Sequence, residues 1–267
     1  MKNTFNQIAT LIAVITMALV CAPSVAGQES PQLTEELKSF KEEIKSLKAA
    51  QQATQQQLRE IKELLQANPA AAHTPSQPVN ITIGDEPTLG NHDARVVLVD
   101  FSDYQCPFCG KFVQETLPLL EREYISTGKI RYVFRDLPLE TLHPNAFAAA
   151  EAAHCAGEQG KYWEMHNRLY QNQDGLGADN LAIYAQALGL DRTRFTQCLN
   201  SGKFAAAVRN GIGAAETAGI QGTPSFMIGL ASDDAKDQNV KVLKLIIGAQ
   251  PYAAFKDAID RALATVN

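Results

Sequence analysis

Residues 95–111 read Arg95-Val96-Val97-Leu98-Val99-Asp100-Phe101-Ser102-Asp103-Tyr104-Gln105-Cys106-Pro107-Phe108-Cys109-Gly110-Lys111. The run Arg95–Phe101 is β-branched and aliphatic, which predicts one buried strand. A Cys-Pro-Phe-Cys motif follows, and then a stretch to Tyr124 with helical periodicity that turns Phe112, Leu117 and Leu120 inward and carries Pro118 as an expected kink. The first cysteine of such a motif faces the open end of a helix, where unpaired N–H groups and the helix dipole favour an anion. Pro107 suits the first helical position. Cys106 therefore reads as a nucleophilic thiolate, and Cys109, one turn inside, as the thiol that resolves a mixed disulfide. A structural disulfide or half of a zinc site are the alternatives. Zinc needs a second ligand pair, and the adjacent His154-Cys155 would point about 100° apart on a helix. Asp100, near the end of the buried strand, is a candidate acceptor for the Cys109 proton, or else a carboxylate that caps a turn.

Outward from this segment, Lys129–Phe134 reads as a second strand and Pro144–Tyr170 as one Ala-rich helical run. Residues 179–217 read as two or three short helices, Ser225–Gly229 and Val242–Ile247 as strands, and Pro251–Val266 as an amphipathic helix with Pro251 in its first turn. Helices inserted into a small sheet describe an α/β fold. Gly222-Thr223-Pro224-Ser225-Phe226 puts a proline at the start of a strand, where a cis Thr223–Pro224 bond would offer an edge to an extended peptide. The histidines His143, His154 and His166 read as helix caps or covers without a catalytic neighbour.

Upstream, Leu33, Leu37, Phe40, Ile44, Leu47, Gln51, Thr54, Leu58, Ile61 and Leu65 keep an unbroken 4-3 spacing, the coiled-coil period. With Leu37 at position a, the pairs Glu36–Lys41 and Glu43–Lys48 satisfy the g-to-e rule for a parallel neighbour. Residues 27–67 are thus expected to form an oligomerisation helix, whose 33–65 span is roughly 50 Å long, or one amphipathic helix packed on its own domain. Asn68-Pro69 stops it, and 68–79 reads as a linker. Residues 1–26 hold one charge, Lys2, an apolar run Ile8–Ala22, and Ser24-Val25-Ala26, the order of a cleaved signal peptide. Export to the periplasm is the expectation, and its removal leaves four of the five cysteines.

The chain has 267 residues, 24 Lys+Arg against 29 Asp+Glu, and a formal charge of −5. That composition excludes a disordered or multi-span membrane protein and gives no basic excess for a nucleic-acid backbone.

Asp100, Cys106-Pro107-Phe108-Cys109, Thr223-Pro224 and Gly248-Ala249-Gln250-Pro251 together resemble the DsbA-like branch of the thioredoxin superfamily over about residues 80–267. The resemblance implies a thioredoxin fold with a helical insertion at about 140–217, dithiol–disulfide exchange in the periplasm without cofactor or metal, and a cis proline at Pro224 facing the cysteines as the substrate-binding element with Thr223. It implies as partners unfolded or misoxidised exported proteins and a membrane redox partner that recycles the cysteines. It also implies a non-catalytic disulfide between Cys155 and Cys198, the alternative being two buried free thiols. Where the best-known oxidase of the family has histidine, this chain has Phe108, which argues against an extremely oxidising potential. The N-terminal helix is similar instead to oligomeric isomerase-type and suppressor-of-copper-sensitivity-type relatives. The expected function is oxidase or isomerase. The rival is a periplasmic chaperone or metal-handling module that uses the same cleft for binding alone.

Overall fold

The computed structural model describes residues 31–67, 80–232 and 238–266, with side chains from residue 35 to 60 in the first stretch. The expected signal peptide and linker lie outside the described residues. The chain divides into two units, residues 1–72 and 73–267. In the first, α1 (Pro31–Ala67) is one uninterrupted helix. It exposes Leu37, Phe40, Ile44, Leu47 and Leu58, each more than half accessible. Thr54 turns its hydroxyl back to the carbonyl of Ala50. No helix among the described residues is long and apolar enough to cross a membrane.

The second unit is built on a six-stranded sheet. In chain order the strands are β1 (Asn80–Thr82), β2 (Thr88–Gly90), β3 (Val96–Ser102), β4 (Ile130–Asp136), β5 (Ser225–Ala231) and β6 (Asn239–Ile247), with spatial order β1-β6-β5-β3-β4-β2. The β3–β4 pair is parallel; β5 is antiparallel to both β3 and β6. All seven residues of β3 are buried, because both faces of the sheet are covered. Leu98, Tyr132, Phe134, Phe226 and Ile228 lie in one cluster with Phe112, Leu120, Phe255 and Ile259. Val97, Val99, Phe101, Val133 and Met227 lie in a second with Ala215 and Ile220. A continuous apolar run is what a strand with two covered faces requires. The edge strands β1 and β2, three residues each, are not legible from periodicity.

The crossover from β3 to β4 begins with α2 (Pro107–Lys111) and continues through α3 (Leu117–Leu120). Around Pro118, where a kink is expected, the helical turns are widened. Five-residue π turns, Phe112–Thr116 and Glu121–Ile125, flank α3, and Leu117 donates to the carbonyl of Phe112. Proline offers no N–H and its ring clashes with the carbonyl four residues back, so the widened turn before it relieves the conflict. Between β4 and β5 lie α4 (Ala146–Gly157), α5 (Tyr162–Tyr170), a single 3-10 turn (Gln173–Gly175), α6 (Ala178–Ala187), α7 (Arg192–Asn200) and α8 (Ala205–Thr217). The Ala-rich run is therefore two helices rather than one. Gly160, at φ 74°, supplies the left-handed residue that ends the first. The chain closes with α9 (Tyr252–Leu263), which Pro251 precedes as its cap.

Candidate active site

Cys106 caps α2 with extended backbone (φ −70°, ψ 120°), and Pro107 opens the helix. This is how the sequence aims one sulfur at the helix end and hides the other. Cys109 has no accessible surface and Cys106 4%. Both are free thiols. The Cys106 Sγ donates to the carbonyl of Thr223 at 3.5 Å, so the loop before β5 touches this cysteine although 117 residues separate them. The Thr223–Pro224 bond is cis.

The two thiols are driven apart electrostatically. Cys106 is lowered to about 6, chiefly by the hydrogen bond from Cys109, with the backbone N–H groups of Cys109 and Phe108 helping and burial opposing. Cys109 is pushed well above an ordinary thiol by burial, and further by its neighbour Cys106. The arrangement holds one thiolate near neutral pH and keeps a proton on the other.

Asp100 lies behind them, fully buried. Burial raises it to about 7, against the opposing pull of hydrogen bonds from Ser102 and Tyr132. Ser102 Oγ donates to Oδ1 at 2.5 Å and Tyr132 to Oδ2 at 2.6 Å. The turn-cap alternative for Asp100 thus does not describe it: its carboxyl serves side chains inside the core. The turn is built instead by Asp103, whose Oδ1 accepts from the backbone of Gln105 at 2.7 Å and whose Oδ2 accepts from the backbone of Leu139 at 2.7 Å.

The histidine side chains cap no helix end; His154 covers helical neighbours instead, stacking on Phe204 and meeting Tyr162 edge-on. His143 Nδ1 meets Asp103 Oδ2 at 2.8 Å, beside the cysteine loop. His154 Nε2 meets Asp136 Oδ2 at 2.7 Å. His166 is buried among Tyr104, Phe134, Trp163 and Tyr170, and that burial lowers it to about 4. Cys155 and Cys198 are bonded to each other. Among the described residues, no group of three or more His, Cys, Asp or Glu is placed to hold a metal ion.

Sequence reasoning misses Tyr132, Ser102, Asp103 and Gln173. Tyr132 reaches Asp100 diagonally across the β3–β4 ladder, where Leu98 pairs with Tyr132 and Asp100 with Phe134. Only the strand register reveals that.

A family model described as thioredoxin matches residues 82–247. A Salinispora tropica protein named a Na(+)/H(+) antiporter is 38% identical over 139 residues, which cover 52% of this chain and 21% of that protein. A Rickettsia prowazekii protein that carries the name protein-disulfide oxidoreductase is 31% identical over 159 residues, 57% of each chain. The chain thus spans about a fifth to about half of the length of these curated relatives. The crystal structure of α-DsbA1 from Wolbachia pipientis superposes with a TM-score of 0.58 at 24% identity, covering 69% of this chain and 94% of that one. The second unit therefore has the DsbA-type fold.

Proposed function

The chain belongs to the thioredoxin family, and from that premise we propose that it is an exported protein thiol–disulfide oxidoreductase working in the periplasm as an oxidase or isomerase. The observation that carries the reading is the placement of the two thiols: Cys106 caps the start of α2 with its Sγ against the carbonyl of Thr223, and Cys109, one turn inside, has no accessible surface. A thiolate that attacks and a thiol that waits are what exchange through a mixed disulfide needs.

In the dithiol form the Cys106 thiolate attacks a substrate disulfide; one substrate sulfur leaves as thiolate, and a mixed disulfide forms on Cys106. Cys109 passes its proton to Asp100 and attacks Cys106 Sγ. The second substrate thiolate leaves, the Cys106–Cys109 disulfide forms, and two electrons have gone to the substrate. Run backward, a substrate dithiol is oxidised, and a membrane redox partner must then take the two electrons. In isomerisation a different substrate thiol attacks the substrate sulfur of the mixed disulfide and displaces the Cys106 thiolate, so the substrate leaves with a new pairing and no net electron transfer. Thr223 and Pro224, beside Cys106, would line up the substrate peptide, and the exposed Phe108 would touch it.

The apolar face of α1 supports assembly with a second copy. Leu37, Phe40, Ile44, Leu47 and Leu58 are exposed, and the g-to-e pairs Glu36–Lys41 and Glu43–Lys48 match a parallel neighbour. Two active sites on one assembly suit isomerisation, since a substrate held at one site is presented to the other at high effective concentration.

The test compares the wild-type chain with Cys106→Ser in insulin reduction and in refolding of a scrambled disulfide protein. Wild-type activity in Cys106→Ser overturns the reading. Deleting residues 27–67 should leave simple dithiol oxidation intact and lower isomerisation. Light scattering that finds the full chain monomeric under the assay conditions removes the case for isomerase.

A further inference from the structure

The segment Asp103–Cys106 is held from outside itself, and nearly every outside contact comes from the stretch between β4 and β5. Asp103 takes donors from Leu139 and His143. The Gln105 Oε1 accepts from the backbone of Asn145 at 2.6 Å. The tightest hold is that of Gln173, on the 3-10 turn after α5. Its Nε2 donates to the carbonyl of Tyr104 at 2.8 Å and to the carbonyl of Cys106 at 2.8 Å. A primary amide has two hydrogens on its nitrogen, so both are used, one on each side of Gln105.

We propose that Gln173 is a positioning residue for the nucleophile: its amide clamps the backbone on both sides of Gln105 and so fixes the direction in which the Cys106 thiol points. This rests on the exchange reading of Cys106 given above.

Two features make the clamp specific. The Cys106 carbonyl also accepts from Gly110 N at 3.1 Å, the first turn of α2. Gln173 therefore ties the loop to the helix start at the very residue whose extended backbone directs the sulfur toward the helix end. The amide also fits only because residue 110 has no side chain: a Cβ there would lie 2.2 Å from Gln173 Oε1 and 2.9 Å from its Cδ. Gly110 in this motif is thus explained by an amide 63 positions downstream, a pairing invisible to local sequence rules. If the clamp loosens, the thiolate loses its alignment with the N–H groups of Phe108 and Cys109 while the rest of the core stays packed.

The test is the pH profile of alkylation of Cys106 in the reduced full-length chain, with iodoacetamide as probe and thermal melting in parallel. The wild-type midpoint is expected at about 6. In Gln173→Ala the midpoint should rise, with alkylation at pH 6 slowed about three- to tenfold, the worth of one or two lost hydrogen bonds. Gln173→Glu keeps the volume but replaces the donor with an acceptor facing two carbonyl oxygens, so it should slow alkylation at least as much; it also frees the test from dependence on how the alanine variant folds. Gly110→Ala should displace the amide and mimic its loss, yet add little on top of Gln173→Ala, a non-additivity that a merely structural role would not produce. A depressed wild-type midpoint that both Gln173 variants share overturns the role of Gln173 alone. A wild-type Cys106 that alkylates like an ordinary thiol overturns the exchange reading beneath it.

Discussion

Cys106 and Cys109 lie three residues apart and are free, whereas Cys155 and Cys198 lie 43 apart and are bonded. All four are buried, none more than 8% exposed. Burial therefore does not separate the free pair from the bonded one. What differs is the surroundings. Cys106 sits at a helix start with backbone donors and a neighbouring S–H around its sulfur, and a buried carboxyl behind its partner. Cys155 and Cys198 sit in helices α4 and α7, each inside its helix, with no free helix end to hold a thiolate. Reactivity follows from the stabilisation of the anion, not from its exposure.

The largest effects are expected at the free pair. Cys106→Ser should abolish exchange, and Cys109→Ser should leave attack intact but trap mixed disulfides with client proteins, visible as high-mass species on non-reducing gels. Equal trapping by both variants would break the assignment of roles.

Changing Cys155 and Cys198 together to Ala should lower stability by about 4 kcal/mol, the chain-entropy value for a loop of this size. Thermal or denaturant unfolding reads that loss, while the alkylation profile of Cys106 should be unchanged. A shifted profile would mean that the two pairs are one system.

Asp100 joins stability to chemistry. Its native carboxyl keeps a proton up to about pH 7, whereas an unfolded aspartate releases it near 3.8. Between those values the native state binds more protons, so Asp100 costs the fold progressively more as pH rises, and the cost levels off above 7. Asp100→Asn should therefore stabilise the protein at pH 8 by about 2–4 kcal/mol and be nearly neutral below pH 4. The same change should slow the Cys109 step, read as a longer-lived mixed disulfide. A stability gain that does not vary with pH would dismiss the carboxyl as its source.

Tyr132→Phe should have the smallest effect. It removes one donor from the Asp100 carboxylate, worth about 1 kcal/mol, and so should push the Asp100 titration upward. A downward shift of that titration, followed through the carboxyl resonance by NMR, would contradict the geometry.

Much of the site is legible in the sequence. Cys106, Pro107 and Cys109 announce themselves because helix-end chemistry is local: a cysteine, a proline and three residues suffice to place one sulfur at the cap. Asp100 is legible as a carboxylate in an apolar run. Its partners are not, since Ser102 lies on its own strand but Tyr132 is found only through the β3–β4 register. Of the caps or covers expected for the histidines, the capping half fails for His143 and His154, because their carboxylate partners, Asp103 and Asp136, lie 40 and 18 residues away. The break at Gly160 is lost in alanine-rich periodicity, and the three-residue edge strands are too short to carry a period at all.

The sequence alone determined the strand–Cys-Pro-Phe-Cys–helix unit, the order of the main elements and the heptad spacing of α1, because each depends on backbone propensity and hydrophobic period over a few turns. Tertiary structure decided what surrounds the sulfurs: the carbonyl of Thr223 against Cys106, the phenol of Tyr132 on Asp100, and the amide of Gln173 in the space Gly110 leaves open. Those contacts join residues tens to more than a hundred positions apart, and only the packing of the sheet and the helices inserted between β4 and β5 fixes which of them meet.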